Sequence, residues 1–323
     1  MKNYTWKSTL SEHFQTYISI QRTAGFKFVA QERVLQHFDH YHFYNGYQGT
    51  RLTIDMVSGF IYNRSEAAST WRNKEIVMHG FGLYMRDSGY QAYIAEIKTE
   101  LPRSRYIPHI YTKSELDRFF KAVDQYPHTM NSARNTVDPV LFRFLYGTGA
   151  RLSEALDLKI SDFDDKEGSV IIRQAKNNKD RIVPLHPSLA TRIAAYLKCF
   201  HSDHSRDIHL FPSSLLTRMD TSTAYRHFRD YLLMADIPHT GHGPRIHDFR
   251  HGLAVENLRR WSAEGKDLLN LLPYLSAYMG HSDFRATQYY LRLTAEIYPE
   301  MMETMEAACM DIIPEGVYSN EES

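Results

Sequence analysis

The chain has 323 residues, of which 38 are Lys or Arg and 38 are Asp or Glu, so its formal net charge is zero. Hydrophobic residues make up 43% of the sequence, and this length and composition predict two folded domains. No apolar run approaches the length of a membrane span, and no secretory hydrophobic segment follows Met1. The two cysteines lie far apart without a C-x-x-C motif, which argues against a disulfide framework or a zinc ribbon. We therefore expect a soluble cytoplasmic protein.

The charges are distributed unevenly. From residue 296 onward there are eight acidic residues and no Lys or Arg, so residues 1–295 carry 38 bases against 30 acids, a balance of +8. A basic body followed by an acidic tail is compatible with phosphate binding on one face. From charge alone, an ordinary solvated tail is the simpler interpretation.

Four segments within residues 9–89 have apolar residues at helical spacing. The first opens with Thr9-x-x-Glu12, a capping-box pattern. The fourth starts near residues 69–70, places Ile76 on its buried face with Val77, Phe81 and Tyr84, and ends at Gly89. The second and third are expected at residues 31–44 and 54–62. Together they predict a small, all-helical N-terminal domain.

A basic linker follows. Residues 98–111 contain two prolines and three basic residues, which are Lys98, Arg103 and Arg105. This composition predicts an extended segment, and Thr112-x-x-Glu115 then opens a new helix with a second capping box. We place the domain boundary here. The expected domains are residues 1–104, residues 105–295, and an acidic helix and tail at residues 296–323.

The second domain is predicted to be mainly helical with one β-hairpin. Residues 139–146 form an apolar helix that ends at Gly147-Thr148-Gly149, and Arg151 opens the next helix. Residues 169–175 and 181–185 favour strands joined by a basic tip, Lys-Asn-Asn-Lys-Asp. Further helices are expected at residues 188–200, 222–234, 247–260, 268–278 and 285–291. The fold class is therefore mainly α with a small antiparallel sheet.

Five polar motifs of this domain occur in a characteristic order. They are Arg151 in GTGARLSEAL, Lys176 in QAKNNKDRIVPL, His247 and Arg250 in IHDFRHG, His281 in MGHSDF, and Tyr290 nine residues after His281. Over about residues 147–293 this pattern resembles the tyrosine recombinase/integrase family, including the Xer and phage integrase types. The resemblance implies a four-helix, SAM-like core-binding domain followed by a tyrosine recombinase catalytic domain.

These residue types suit attack of a phenol on a DNA phosphodiester. The planar, permanently charged forks of Arg151 and Arg250 match the non-bridging oxygens, where negative charge accumulates. The resemblance implies that Tyr290 attacks the phosphate, which gives a 3′-phosphotyrosyl link and a free 5′ hydroxyl. It implies neither ATP, a metal nor any other cofactor.

The remaining motif residues are assigned to proton transfer and to hydrogen bonds with the phosphate. Lys176, at the hairpin tip, is assigned as the general acid for the leaving 5′ oxygen, with Lys179 as its rival. His247 and His281 are assigned to hydrogen-bond the phosphate or to manage the proton of the nucleophile. Tyr289 is interpreted as a packing residue, because nine-residue spacing favours Tyr290.

A zinc site is the alternative for the segment His247-Asp-Phe-Arg-His251, because two histidines four residues apart on a helix can share a metal. A zinc protease motif has Glu directly after the first His, whereas Asp248 stands there, and no third ligand follows at short spacing. We therefore expect no metal.

The resemblance also implies contacts with double-stranded DNA. Predicted contacts are Arg72 and Lys74 on the fourth helix, Arg103 and Arg105 in the linker, Lys179 in the hairpin tip, and Thr223 and Arg226 on the helix beginning near residue 222. The expected partners are specific recombination sites and further copies of the chain, from a dimer to a tetramer. The amphipathic segment 295–312 docks either on a neighbouring copy or on its own domain.

The function predicted from the resemblance is site-specific recombination or integration of a mobile element. Residues 261–266 are expected to form a loop inserted between two helices, a departure from the compact Xer spacing. A type IB topoisomerase, and a regulatory DNA-binding protein that has lost catalysis, are the alternatives.

Overall fold

The computed structural model describes residues 4–101, 108–130, 132–173, 180–240, 243–280, 289–291, 293, 294 and 298. The chain separates into two compact units, Met1–Arg105 and Tyr106–Ser323. This division falls beside the boundary predicted from the basic linker. None of the described helices is both long and apolar enough to cross a bilayer.

The first unit is a helical bundle. Its described helices are α1 (Ser11–Thr23), α2 (Val29–Tyr44), α3 (Ile54–Ile61) and α4 (Ala68–Asp87). Aromatic side chains dominate its core, where Phe14, Phe38 and Phe81 are fully buried. The ring centroids of Phe14 and Phe81 lie 4.8 Å apart. The four predicted helices are therefore present.

Two details of the first unit were predicted wrongly. α1 begins at Ser11, and the Thr9 hydroxyl donates to the carbonyl of Gly49 at 2.6 Å instead of capping the helix. Ile76 is 49% exposed, whereas Val77 beside it is buried. Val77 lies on the buried face as predicted, and the N-cap residue of α1, Leu10, makes no side-chain cap.

The second unit is mainly helical, with a short 3₁₀ turn at Ile160–Asp162. Its described helices are α5 (Lys113–Asp124), α6 (Arg134–Thr148), α7 (Leu152–Asp157), α8 (Pro187–Phe200), α9 (Thr221–Met234), α10 (Asp248–Ala263) and α11 (Leu268–Met279). Its described strands are β1 (Phe163–Asp164), β2 (Ser169–Ile172) and β3 (Arg181–Pro184). The capping box of Thr112 and Glu115 at the start of α5 is confirmed.

The three strands form an antiparallel sheet in the order β1-β2-β3. In the β2–β3 hairpin Val170 pairs with Val183 and Ile172 pairs with Arg181. Val170 and Val183 are buried, so this face of the hairpin lies against the core. The hairpin is confirmed, and its tip lies outside the described residues.

Two apolar clusters support the second unit. The larger one contains a group of mutually contacting rings, Phe119, Phe142, Phe228 and Phe249, that joins α5, α6, α9 and α10. The smaller one joins α10 and α11 to the segment that carries Tyr290. The first turn of α10 therefore lies between both clusters.

The predicted inserted loop at residues 261–266 is shorter than expected. α10 continues through Ala263, Gly265 adopts the left-handed conformation at φ 64°, and the Asp267 side chain caps α11. Trp261 packs against the smaller apolar cluster, which keeps its segment helical.

Candidate functional site

Arg151 stands at the start of α7, directly after a tight turn that ends α6. Gly149 in this turn has φ 61°, and a Cβ atom there would lie 2.8 Å from the Leu253 side chain. Only glycine fits both the backbone conformation and the close approach to α10. The Arg151 guanidinium donates to Glu154 Oε1 at 2.7 Å, and the Arg151 backbone N–H donates to Glu154 Oε2 at 2.9 Å.

Glu154 is shared with a second arginine. Arg181, the first residue of β3, donates from Nη1 to Glu154 Oε1 at 3.1 Å and from Nη2 to Oε2 at 2.8 Å. Burial alone would raise the pKa of Glu154, but the bonds from Arg181 and Arg151 outweigh burial and lower that pKa to about 2. The carboxylate is therefore fully ionised at neutral pH.

Arg250, in the first turn of α10, is 2% exposed. It donates to the carbonyl oxygen of Gly149 at 2.7 Å and to that of Met279 at 2.6 Å. Arg151 donates to the next carbonyl along, that of Gly280, at 3.4 Å. Burial lowers the pKa of Arg250 to about 10, so its guanidinium remains charged at neutral pH.

His247 precedes α10 and lies one helical turn from Arg250. Desolvation of the imidazole and the cations of Arg250 and Arg151 lower the pKa of His247 below its usual range, although the residue as a whole is exposed. Its ring centroid is 4.9 Å from that of His251. His247 is therefore a neutral imidazole at physiological pH in this structure.

Tyr290 is 3% exposed and belongs to the smaller apolar cluster, whereas Tyr289 is 40% exposed. The Arg250 side chain lies close enough to the Tyr290 hydroxyl to influence its ionisation. Burial raises the pKa of Tyr290, and the charge of Arg250 opposes this rise. The ring of His251 lies 5.4 Å from the Tyr290 ring.

The structure thus brings together four of the six predicted catalytic residues, which are Arg151, His247, Arg250 and Tyr290. The other two, Lys176 and His281, lie outside the described residues, as do Arg103, Arg105, Lys179 and the segment 299–312. Gly280, the residue immediately before His281, contacts Arg151 through its carbonyl.

The predicted DNA contacts in the first unit are not equivalent. Arg72 is partly exposed and donates to the carbonyl of Thr99 at 3.1 Å. Lys74 is 6% exposed, and its ammonium donates to Glu66 at 2.7 Å and to the Phe60 carbonyl at 2.9 Å. Its charge is neutralised inside the unit, so the prediction that Lys74 contacts DNA is wrong for this structure.

On α9, Arg226 is exposed and Thr223 is partly exposed. Both lie on the surface of the first two turns, as predicted for residues that could contact a duplex.

Sequence reasoning did not single out Arg181. The strand pattern indicates that its side chain points inward. Side chains alternate between the two faces of a strand, so Arg181 lies on the same face of β3 as the buried Val183. A charged residue at an inward-facing strand position needs a buried partner. Glu154 provides it.

Among the described residues, no group of three or more His, Cys, Asp and Glu side chains is arranged to hold a metal ion. The polar groups that converge here are guanidinium, imidazole and phenol groups, which suit an anion.

Comparison with known proteins agrees with this fold. Residues 110–296 match the phage integrase family. The protein named "Putative integrase/recombinase y4rB" of Sinorhizobium fredii is 31% identical over 317 residues, which cover 93% of this chain and 98% of the relative. The tyrosine recombinase XerA of Pyrococcus furiosus is 25% identical over 307 residues, covering 94% of this chain and 96% of the relative.

Among solved structures, a lambda integrase tetramer bound to a Holliday junction aligns with a TM-score of 0.60 at 15% identity. The alignment covers 90% of this chain and 78% of the integrase. The second unit of this chain is mainly helical with a small antiparallel sheet, and a cluster of basic side chains lies beside Tyr290. The chain belongs to the phage integrase family of tyrosine recombinases, as its motifs predicted.

Proposed function

We propose that this chain is a site-specific DNA recombinase in which Tyr290 cuts and rejoins one strand of a duplex. The Tyr290 oxygen forms a bond to the scissile phosphorus as the bond from phosphorus to the 5′ oxygen breaks. The phenol loses its proton and the departing 5′ oxygen gains one. The product is a 3′-phosphotyrosyl link, which a 5′ hydroxyl of another strand reverses.

One observation carries the proposal, which is the excess of positive charge beside a buried phenol. Two guanidinium groups, of Arg151 and Arg181, bind the Glu154 carboxylate, and a third, of Arg250, lies near enough to feel its charge. A cluster that needed only internal neutrality would carry as many carboxylates as guanidinium groups. A surplus of fixed cations stabilises an anion that arrives from outside and the extra charge of its transition state.

The surroundings of the Tyr290 phenol support this chemistry. A phenol ionises with a pKa of about 10 in water, so attack at neutral pH requires neighbouring groups that favour the phenolate. Arg250 contacts both the Tyr290 hydroxyl and the backbone next to Arg151. The neutral imidazole of His247 is suited to accept the phenol proton or to donate one hydrogen bond to the phosphate.

The two remaining roles rest on position along the chain. Lys176 lies between β2 and β3 in the sequence, and we assign it as the general acid. His281 follows Gly280, which is held by Arg151, and would donate to the same phosphate. No cofactor is required, because the phosphotyrosyl bond retains the energy of the broken diester.

Reaction with DNA requires Tyr290 to move. Its phenol is 3% exposed, and a duplex phosphate cannot reach a hydroxyl at that depth. We infer that the segment carrying Tyr290 shifts when DNA fills the cluster. The related lambda integrase was solved as a tetramer on a Holliday junction, and we propose that this chain likewise acts as a dimer to tetramer on double-stranded sites.

The test uses duplexes selected by the full-length chain from a randomised double-stranded library. Each selected duplex is nicked at successive positions so that cleavage traps the protein on DNA. We expect an SDS-resistant adduct with the wild type and with Tyr289→Phe, and none with Tyr290→Phe.

Three other outcomes contradict parts of the proposal. An adduct that persists in Tyr290→Phe and disappears in Tyr289→Phe identifies the exposed Tyr289 as the nucleophile. Absence of an adduct from every bound duplex means that the chain binds DNA without cutting it. Relaxation of a plasmid with two sites, without any exchange between them, identifies a type IB topoisomerase.

A further inference from the structure

Arg181 links three separate segments of the second unit. It is the first residue of β3, its guanidinium binds both oxygens of Glu154 in α7, and its Nε donates to the carbonyl of Tyr278 in α11 at 3.2 Å. Only 11% of the Arg181 side chain and 7% of the Glu154 side chain are exposed. A paired fork of this kind is rigid as well as strong.

Arg181 also lies directly against the turn that follows α11. A Cβ atom placed on Gly280 would be 2.7 Å from Arg181 Nη1 and 2.9 Å from its Cζ. Gly280 itself has φ 65°, so both its backbone conformation and this contact require glycine. The position of the residue before His281 is thereby fixed by Arg181 from one side and by Arg151 from the other.

The charge balance gives Arg181 a second effect. Glu154 binds Arg151 and Arg181 at the same time, so its single negative charge is divided between two cations. If Arg181 were absent, Glu154 and Arg151 would form a neutral one-to-one pair. A guanidinium neutralised in this way attracts an incoming phosphate less strongly.

We propose that Arg181 is a positioning residue for strand cleavage, acting through Glu154 on Arg151 and through Gly280 on the turn that leads to His281. This inference rests on the proposed recombinase function. Arg181 contacts no reacting atom. It connects β3 to Glu154 and, through Glu154, to Arg151.

The test measures the single-turnover rate of adduct formation on a selected nicked duplex, at saturating full-length protein. We expect Arg181→Gln to lower this rate about 10- to 100-fold, since displacement of a catalytic group by about 1 Å costs that much. The dissociation constant for the uncut duplex should change by less than about threefold, because one buried cation contributes little to contacts with the DNA backbone.

Arg173→Gln is the matched control. Arg173 follows β2 on the same hairpin and also pairs with a carboxylate, that of Asp162, whose side chain is 6% exposed. It does not touch Glu154 in the described contacts. Its rate of adduct formation should stay within about twofold of the wild type, because this pair lies outside the Glu154 cluster.

Two further measurements separate positioning from general support of the fold. In the double variant Arg151→Lys with Arg181→Gln, the loss of rate should be smaller than the product of the two single losses, because part of the effect of Arg181 passes through Arg151. On a duplex with a methylphosphonate at the scissile position, the defect of Arg181→Gln should shrink, since the charge that Arg151 would neutralise is gone.

The outcomes are distinguishable from those of the parent proposal. If the wild type forms no Tyr290-dependent adduct, the recombinase proposal fails. If it does, and Arg181→Gln matches it in rate, the inference about Arg181 alone is overturned. The inference is also overturned if the rate losses of the two substitutions multiply in the double variant. It is likewise overturned if Arg181→Gln slows adduct formation on methylphosphonate DNA as much as on ordinary DNA.

If Arg181→Gln does not fold, Arg181→Lys decides the question. Lysine keeps the charge but cannot bind both Glu154 oxygens and the Tyr278 carbonyl at once. A folded Arg181→Lys protein with the wild-type rate overturns the inference, and one that is about tenfold slower with unchanged DNA affinity supports it.

Discussion

The second unit contains two buried networks of arginine and carboxylate, and their charge balances differ. In the first network, Arg134 donates to Asp230 at 2.8 Å and to the Tyr231 hydroxyl at 2.9 Å. Asp138, fully buried, accepts from Tyr231 at 2.7 Å and lies 2.8 Å from His227 Nδ1. One guanidinium is thus matched by two carboxylates.

The second network, around Glu154, has the opposite balance, with three guanidinium groups and one carboxylate. Both networks are buried and both are hydrogen-bonded. Burial and bonding therefore do not separate a site from a structural support. The sign of the charge balance does, because a surplus of buried cations suits an anion that arrives from outside, whereas the Arg134 network has no such surplus.

Removing the cation of the Arg134 network should cost mainly stability. In Arg134→Gln the carboxylates of Asp138 and Asp230 lose their partner, and we expect the free energy of unfolding to fall by about 3–5 kcal/mol. The rate of adduct formation per folded molecule should not change. Urea denaturation measures the loss, with Arg143→Gln as control, since the more exposed pair of Arg143 and Asp124 should contribute less than about 1 kcal/mol.

Removing a cation of the Glu154 network should cost mainly activity. Arg250→Gln withdraws the donor beside Tyr290, and we expect adduct formation to slow by about 10²- to 10³-fold. Single-turnover kinetics measure this, with the exposed Arg260→Gln on the same helix as control. A rate loss equal to that of Arg134→Gln would show that the two networks do not differ in role.

The low pKa of Glu154 predicts a pH dependence of stability. Its folded pKa of about 2 lies below the unfolded value of about 4.3. The ionised carboxylate therefore stabilises the fold above pH 4.3, and this contribution is lost as pH falls from about 4.3 to 2. The side chain is 7% exposed, so the full effect is about 3 kcal/mol.

The measurement is the difference in unfolding free energy between the wild type and Glu154→Gln across that range. We expect the wild type to exceed the variant in unfolding free energy by a constant amount above about pH 5. This advantage should shrink as the pH falls below that value. A difference that does not vary between pH 5 and pH 2 would contradict the ion pairs seen around Glu154.

The smallest expected effect concerns α9, which has one buried face and one exposed face. His227 points inward to Asp138, whereas its neighbour Arg226 is exposed. If Arg226 contacts a phosphate, Arg226→Gln should reduce the slope of log affinity against log salt by about 0.9. Binding titrations at several salt concentrations measure it, with Arg192→Gln on α8 as the comparison. An unchanged slope would remove Arg226 from the interface.

Local patterns were reliable where a few neighbouring residues decide the outcome. The capping box at Thr112 and the hairpin of β2 and β3 follow from side chains close in sequence. Patterns failed where a distant partner competes. Thr9 caps no helix, since α1 begins at Ser11 and the Thr9 hydroxyl donates to the Gly49 carbonyl. Lys74 is buried because Glu66 and the Phe60 carbonyl bind its ammonium.

The sequence by itself determined the family, the two-part helical organisation and the order of the polar motifs, because motif spacing and apolar periodicity are properties of the chain. Only the tertiary structure decided that Arg151 and Arg250 hold consecutive carbonyls, that Tyr290 is buried against Arg250, and that Arg181 shares Glu154. These contacts join residues up to 129 positions apart, and their geometry depends on how α7, α10, α11 and β3 pack together. Charge balance within a cluster is a sum over such contacts, so it exists only once the chain has folded.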